Sequence, residues 1–341
     1  MSRIKHICIC GGGGLGHTCA GVLSSKPGIS VSLYTQHPEQ WQPTFQINTP
    51  NGKLKGNLYQ ISNNPQDLIP KADMILLCLP AFLVEQTLIT IRPYIQKETI
   101  VGAIVGNSGF FIFCHNLLPQ STKLFAFQRV PYISRVVDYG KEADLLGYKD
   151  KLLLAIENIE NAQDFCEEIA YLFDTPTELL SSFYEVTLSN SNPILHTGRL
   201  YTLWKDWNGK AYSTCPLFYH DWTDDASALE IEMDKEFFAL LHALNVDTKH
   251  IDTLLHHYEA VDATSMTNKL QSIESLSTIP SPMLQVKDGW IPNFKSRYFT
   301  EDFPFGLRFI YELAHLQQVP CPNIDKVYHW GMQQIQQTAD K

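Results

Sequence analysis

The 341-residue chain has no apolar run of 18 residues, which excludes an ordinary membrane-spanning helix. It has no C-x-x-C pair and no compact cysteine cluster. Its eight cysteines are scattered, and several sit in apolar stretches where the thiol acts as a small hydrophobe. That usage fits a reducing cytoplasm, and no signal-peptide pattern precedes the first apolar stretch. Positive charge is also scarce. Lys and Arg number 26 against 36 Asp and Glu, a net charge of −10, which argues against nucleic acid as the main partner. No internal repeat or low-complexity tract is visible, and no site has zinc-ligand spacing; His256 and His257 are adjacent and cannot both face one ion.

What is present begins at the first strand. An apolar run, residues 4–10, meets Gly11-Gly12-Gly13-Gly14-Leu15-Gly16, and a helix-compatible segment follows. The glycines fit G-x-G-x-x-G at Gly11, Gly13 and Gly16. In that pattern Gly11 permits the sharp turn, Gly13 clears space for a pyrophosphate, and Gly16 lets helix and strand pack closely. The helix then directs its first amides and its positive end at phosphate. NADH or NADPH is the expected cofactor, with Gly14 and Leu15 beside it.

Cofactor choice is usually made at the end of the second strand, here residues 29–34, where an acid would read the ribose hydroxyls of NAD and an arginine the NADP phosphate. The chain offers Thr35-Gln36-His37-Pro38, with neither. Thr35 or Gln36 could bond a ribose hydroxyl, which tips the reading to NAD. Residues 43–61 read as polar and turn-rich, with a weak strand at 58–61. The apolar run 72–79 reads as a strand buried on both faces and ended by Pro80, so Leu79, Pro80 and Ala81 should lie over the cofactor. Residues 99–105 give another buried strand, ending in Gly106-Asn107-Ser108-Gly109; Asn107 joins the cofactor candidates. Three short strand-like runs, at 132–138, 143–147 and 151–156, read as an antiparallel extension of the same sheet.

Beyond about residue 180 strand signals nearly vanish and helical spacing takes over, as in 224–244. The expected organisation is a Rossmann-type α/β dinucleotide-binding domain, 1–180, followed by an all-α domain, 181–341, with the cleft between them as the natural site. Two stretches of the second half carry candidate chemistry. In 189–199, Asn192 and His196 are four apart on one helical face. In 295–307, Arg297, Tyr298 and Asp302 lie among aromatics just before a helix. Asn192 and Asp302 would equally serve as helix caps, and His196 as a core histidine.

Over most of its length the chain resembles the opine dehydrogenase family, of the octopine and nopaline dehydrogenase type. The resemblance rests on Ile9-Cys10-Gly11-Gly12-Gly13, Leu79-Pro80-Ala81-Phe82, Asn192-Pro193 with Gly198-Arg199, Pro216-Leu217-Phe218-Tyr219, and above all Arg297-Tyr298-Phe299-Thr300-Glu301-Asp302. It implies reductive condensation of an amino acid with a 2-oxo acid through an imine. It further implies a His–Asp pair and an arginine, with Arg297 and Asp302 at the matching positions. In some members the histidine stands where this chain has Asn192; His196, one turn later on the same face, is taken as the acid–base residue, with Asn192 as the alternative. Small molecules are then the partners, and a homodimer is an assembly the resemblance allows. The competing readings are a simple 2-oxo acid reductase of the ketopantoate reductase type and a dinucleotide-binding protein without catalysis.

Overall fold

The structure is a computed structural model describing residues 4–107 and 109–339; Ser108 of the glycine-rich stretch lies outside them. It divides into two compact units, 1–187 and 188–341.

The first unit opens with β1 (His6–Cys10), whose last four residues are buried on both faces, and α1 (Gly14–Ser24). Then come β2 (Ser30–Tyr34), β3 (Thr44–Thr49), β4 (Gly52–Asn57), β5 (Gln60–Ser62), β6 (Met74–Leu77), α2 (Ala81–Ile91), β7 (Ile100–Ile104), α3 (Phe110–Leu117) and β8 (Lys123–Phe127). Strands β5-β2-β1-β6-β7-β8 are parallel neighbours in that order. The order reverses between β1 and β6, and this is where an open α/β sheet leaves its ligand crevice.

The unit continues with β9 (Tyr132–Asp138), β10 (Glu142–Tyr148), β11 (Leu152–Glu157), α4 (Ala162–Phe173), β12 (Thr177–Leu179) and α5 (Phe183–Thr187). Here the sequence reading needs correction. Of the three runs expected to extend the main sheet only β11 does so, antiparallel to β8, with β12 parallel beyond it. Strands β9 and β10 pair instead with β3 and β4 in a separate four-stranded sheet, order β4-β3-β10-β9. The polar segment 43–61 hides a hairpin because one face of β4 is solvated, so its residues are mostly charged or small. Ile47, Phe45, Ala143 and Leu145 from the small sheet join α1 and the β1 face in one core. Helix α5 stays with the first unit: Phe183 packs on Phe111, and Thr187 donates to the Gly106 carbonyl.

The second unit is helical: α6 (Asn192–Trp204), α7 (Asp224–Ala243), α8 (Leu254–His257) and α9 (Ala263–Gln271). One hairpin, β13 (Met283–Val286) with β14 (Gly289–Pro292), interrupts it, a short addition to the helical domain. A π-helical segment, Tyr298–Leu307, runs into α10 (Arg308–Leu316), and α11 (Pro322–Ala339) closes the chain. Pro304 inside the segment has no N–H to give to an i→i−4 ladder, and the widened turns accommodate it. No helix of the described residues is long and apolar enough to cross a membrane.

Candidate active site

In the first unit the glycine turn is built by close approach. Gly11 has φ +118°, and a side chain there would run into the Cys78 carbonyl oxygen at the end of β6. A Cβ on Gly16 would collide with the Gly11 carbonyl, so strand and helix meet backbone to backbone. Gly13 differs: nothing lies within 4 Å of where its Cβ would be. The first intrahelical bond runs from the His17 amide to the Gly13 carbonyl, 2.9 Å, so the amides of Gly14, Leu15 and Gly16 precede it. No acidic side chain occupies the first turn of α1 and no side chain caps it. An unobstructed helix N-terminus without its own anion fits a pyrophosphate.

The other first-unit candidates gather near the carboxyl ends of the strands. Leu79 lies against Gly11, and Pro80 and Ala81 open α2. Asn107 follows β7 and is half-buried. Thr35 and Gln36 separate. Thr35 is buried, its hydroxyl 3.4 Å from the Tyr139 hydroxyl beneath Gly12, whereas Gln36 is exposed. The Gln36 side chain is hydrogen-bonded to Tyr34 at the end of β2.

His17, one residue past the motif, drew no attention in the sequence. It is fully buried. Its Nδ1 lies 2.9 Å from the Gly13 carbonyl, and its Nε2 accepts the Gly140 amide at 2.8 Å. The Trp41 ring covers it at 4.0 Å. Burial holds its pKa below the ordinary histidine value.

In the second unit the decisive contact joins residues 106 positions apart. The His196 Nδ1 lies 2.9 Å from Asp302 Oδ2. Both are largely buried, with 11% and 18% of their side-chain surface exposed. Two tight packings bring them together. Gly306 of the π-helical segment sits on Pro193 at the start of α6, where a Cβ would come 2.6 Å from the proline ring. Gly198 sits on Glu230 of α7 in the same way, at 2.5 Å. An ionised Asp302 accepts from Nδ1–H, which leaves Nε2 as acceptor for the Tyr219 hydroxyl at 3.0 Å. Phe218 and Tyr298 meet the imidazole edge-on, at 5.7 and 4.9 Å.

Asp302 thus pairs with His196 and not with Asn192. Asn192 is exposed as the first residue of α6; its amide is bonded to Asn190, and Ser191 occupies the cap position without a side-chain bond. Arg297 is exposed and makes a two-pronged pair with Glu301, at 2.6 and 2.9 Å. Sequence reasoning quoted Tyr219 and Arg199 within motifs but gave them no part. Arg199 is 1% exposed; its Nε and Nη2 donate to the carbonyls of Phe218 and Asp221, and its guanidinium lies over Trp222 at 5.1 Å. Burial lowers its pKa to about 10. It clamps the turn that carries Tyr219.

Residues 179–335 match the family model described as NAD/NADP octopine/nopaline dehydrogenase, alpha-helical domain. Over these residues the chain belongs to the opine dehydrogenase family. Opine dehydrogenase relatives span nearly all of it. Tauropine dehydrogenase of Arabella iricolor is 27% identical over 95% of this chain and 89% of its own length. Octopine dehydrogenase of Mizuhopecten yessoensis is 26% identical over 96% and 90%. A solved octopine dehydrogenase with NADH and L-arginine superposes with TM-score 0.84 at 24% identity, covering 97% of this chain and 89% of that one, a likeness of fold. The ketopantoate reductase PanE/ApbA model matches residues 7–107, within the first unit.

Proposed function

We propose that this opine dehydrogenase family member is an NAD(P)H-dependent enzyme that joins an amino acid to a 2-oxo acid and reduces the resulting imine. The observation that carries the reading is the buried chain Asp302–His196–Tyr219, with Arg297 five residues before Asp302. A 2-oxo acid presents a planar carboxylate, which an arginine fork grips through two parallel bonds once it leaves Glu301. That grip fixes the carbonyl carbon for attack by the amine. The carbonyl oxygen leaves as water and so gains two protons in all, while the amino acid's ammonium nitrogen gives up two on its way to the protonated imine. His196 Nε2 can take these protons from nitrogen one at a time and pass each to oxygen, and Asp302 stabilises the imidazolium formed each time. The bound dinucleotide supplies the hydride. The amides of Gly14, Leu15 and Gly16 would hold its pyrophosphate, and the exposed Gln36, in a 35–38 stretch that has no arginine, favours NAD.

A simple 2-oxo acid reductase would use a lysine in the second unit. Lys205, Lys210 and Lys235 are all exposed, and Lys235 is paired with Glu232. All eight cysteines are free thiols, which supports a reducing cytoplasm as the setting. The test is oxidation of NADH and NADPH with pyruvate and a panel of amino acids. Turnover that requires the amino acid is expected; equal turnover on the oxo acid alone would replace this reading with the simple reductase.

A further inference from the structure

Away from the His–Asp pair, the connection between α10 and α11 gathers three donors of different kinds. His315 lies in the last turn of α10, Cys321 immediately precedes α11, and Asp325 lies in its first turn. The His315 Nε2 is 2.9 Å from Asp325 Oδ1, and the Cys321 Sγ is 3.1 Å from the same oxygen. Ligand atoms of all three lie within 4.8 Å of one another. The surroundings hold them in place. Tyr311 covers the His315 ring at 4.5 Å, the Asp325 amide donates to the Cys321 carbonyl, and Glu236 binds the amides of Asn323 and Ile324 beside them.

We propose that His315, Cys321 and Asp325 form a zinc site that ties α10 to α11. Sulfur, imidazole and carboxylate together are a zinc ligand set; a thiolate disfavours Mg²⁺ and Ca²⁺, which take oxygen. Zinc–ligand lengths of about 2.0–2.3 Å put tetrahedral ligands roughly 3.3–3.8 Å apart. The observed separations are near that range, so small side-chain movements admit the ion. Without metal, the S–H and the Nε2–H both point at one carboxylate oxygen. With metal, the thiol proton is lost, the single proton of the neutral imidazole moves to Nδ1, and the cation takes the place of both hydrogens. His315 is half exposed, so water completes the fourth position. The spacing H-x5-C-x3-D follows no zinc-finger pattern, because the site is closed by a helix–helix connection. Helix α11 packs on both α6 and the π-helical segment, so the ion would brace the support of His196 and Asp302.

Titration of the chelator-treated full chain with Co²⁺ tests the proposal. One equivalent should give a thiolate-to-cobalt charge-transfer band with four-coordinate visible bands, released proton, and displacement by Zn²⁺. Cys321→Ser should abolish the charge-transfer band, and the exposed change His315→Ala should weaken Zn²⁺ about 100-fold or more in a chelator competition. No charge-transfer band in the wild-type chain, or Zn²⁺ affinity unchanged in a folded His315→Ala variant, would overturn it.

Discussion

The imidazole of His17 is hydrogen-bonded to the carbonyl of Gly13 at 2.9 Å, inside the turn where a pyrophosphate would rest. Its other nitrogen receives the Gly140 amide from the turn between β9 and β10, so one neutral ring ties the glycine turn to the small sheet. His17→Ala removes both bonds and leaves the Gly140 amide buried without a partner. A loss of about 1–3 kcal/mol in stability is expected, with NADH binding weakened about 10-fold because the turn is no longer braced. Denaturant unfolding and fluorescence titration with NADH check the two effects. The pH dependence has a definite sign. The native pKa lies below the unfolded value, so the unfolded chain binds more protons as pH falls below about 6.5, and this contribution to stability is lost there. In His17→Ala that part of the acid slope disappears.

The His196–Asp302 pair predicts two distinct losses. His196→Ala removes the proton carrier and should lower kcat by about 100- to 10,000-fold. Asp302→Asn keeps the shape but can donate its amide to the imidazole, which favours the wrong tautomer; a loss of similar size is expected. Both variants should retain NADH affinity, since the glycine turn is untouched. Steady-state kinetics alongside NADH titration separates the two readouts.

Much of this molecule was legible in the sequence where a local pattern had one physical solution. The glycine turn is such a case: only glycine fits at Gly11 against Cys78 and at Gly16 against Gly11. The buried strands β1, β6 and β7 read as continuous apolar runs because helices cover both faces. Strands β3 and β4 were missed because a half-solvated hairpin depends on a partner outside it, here β10 against β3, that lies some 95 residues downstream. The same limit applies to His196. Spacing on one helix placed it beside Asn192, but only packing through Gly306 and Pro193 decides which of them meets Asp302. His17 was invisible because its partners are backbone groups, which no residue pattern records.

Glu230 carries a pH prediction. It is fully buried between helices, and neither carboxylate oxygen has a hydrogen-bond partner. Burial raises its pKa well above the ordinary value, outweighing the opposing charge of Arg199. The native state therefore keeps the proton that the unfolded chain releases above about pH 4.5. The stability contribution is complete below that pH and is lost as pH rises through the native value. Glu230→Gln keeps the shape without the titration. Its melting temperature should exceed that of the wild type by about 3 °C at pH 8, and the difference should close toward pH 4.5.

On the proposed reading, a 2-oxo acid would have to open the Arg297–Glu301 pair. That pair is exposed on the arginine side, so its own contribution to stability is small. Arg297→Ala should lower kcat/KM for the 2-oxo acid by about 10- to 100-fold, and Arg297→Lys should recover little of it, because a point charge cannot make two parallel bonds. Glu301→Gln frees the fork and should lower KM for the oxo acid. An unchanged KM in both variants would place the carboxylate grip elsewhere.

The hydroxyl of Tyr219 occupies the nitrogen of His196 that the proposed chemistry needs, 3.0 Å away, and Arg199 holds the turn that puts it there. Two roles follow from that position. Either the hydroxyl passes a proton between imidazole and adduct, or it keeps Nε2 pointed and gives way when substrate arrives. Burial pushes its pKa well above the ordinary tyrosine value, so it stays a neutral donor across the working pH range and cannot itself act as the base. The second role is the one this environment favours. Tyr219→Phe preserves the ring stacked on Trp222 and removes only the oxygen. If the hydroxyl orients the imidazole, kcat should fall about 10-fold, far less than in His196→Ala, with KM for both substrates nearly constant. A fall as large as that of His196→Ala would make the hydroxyl an obligatory carrier of the proton.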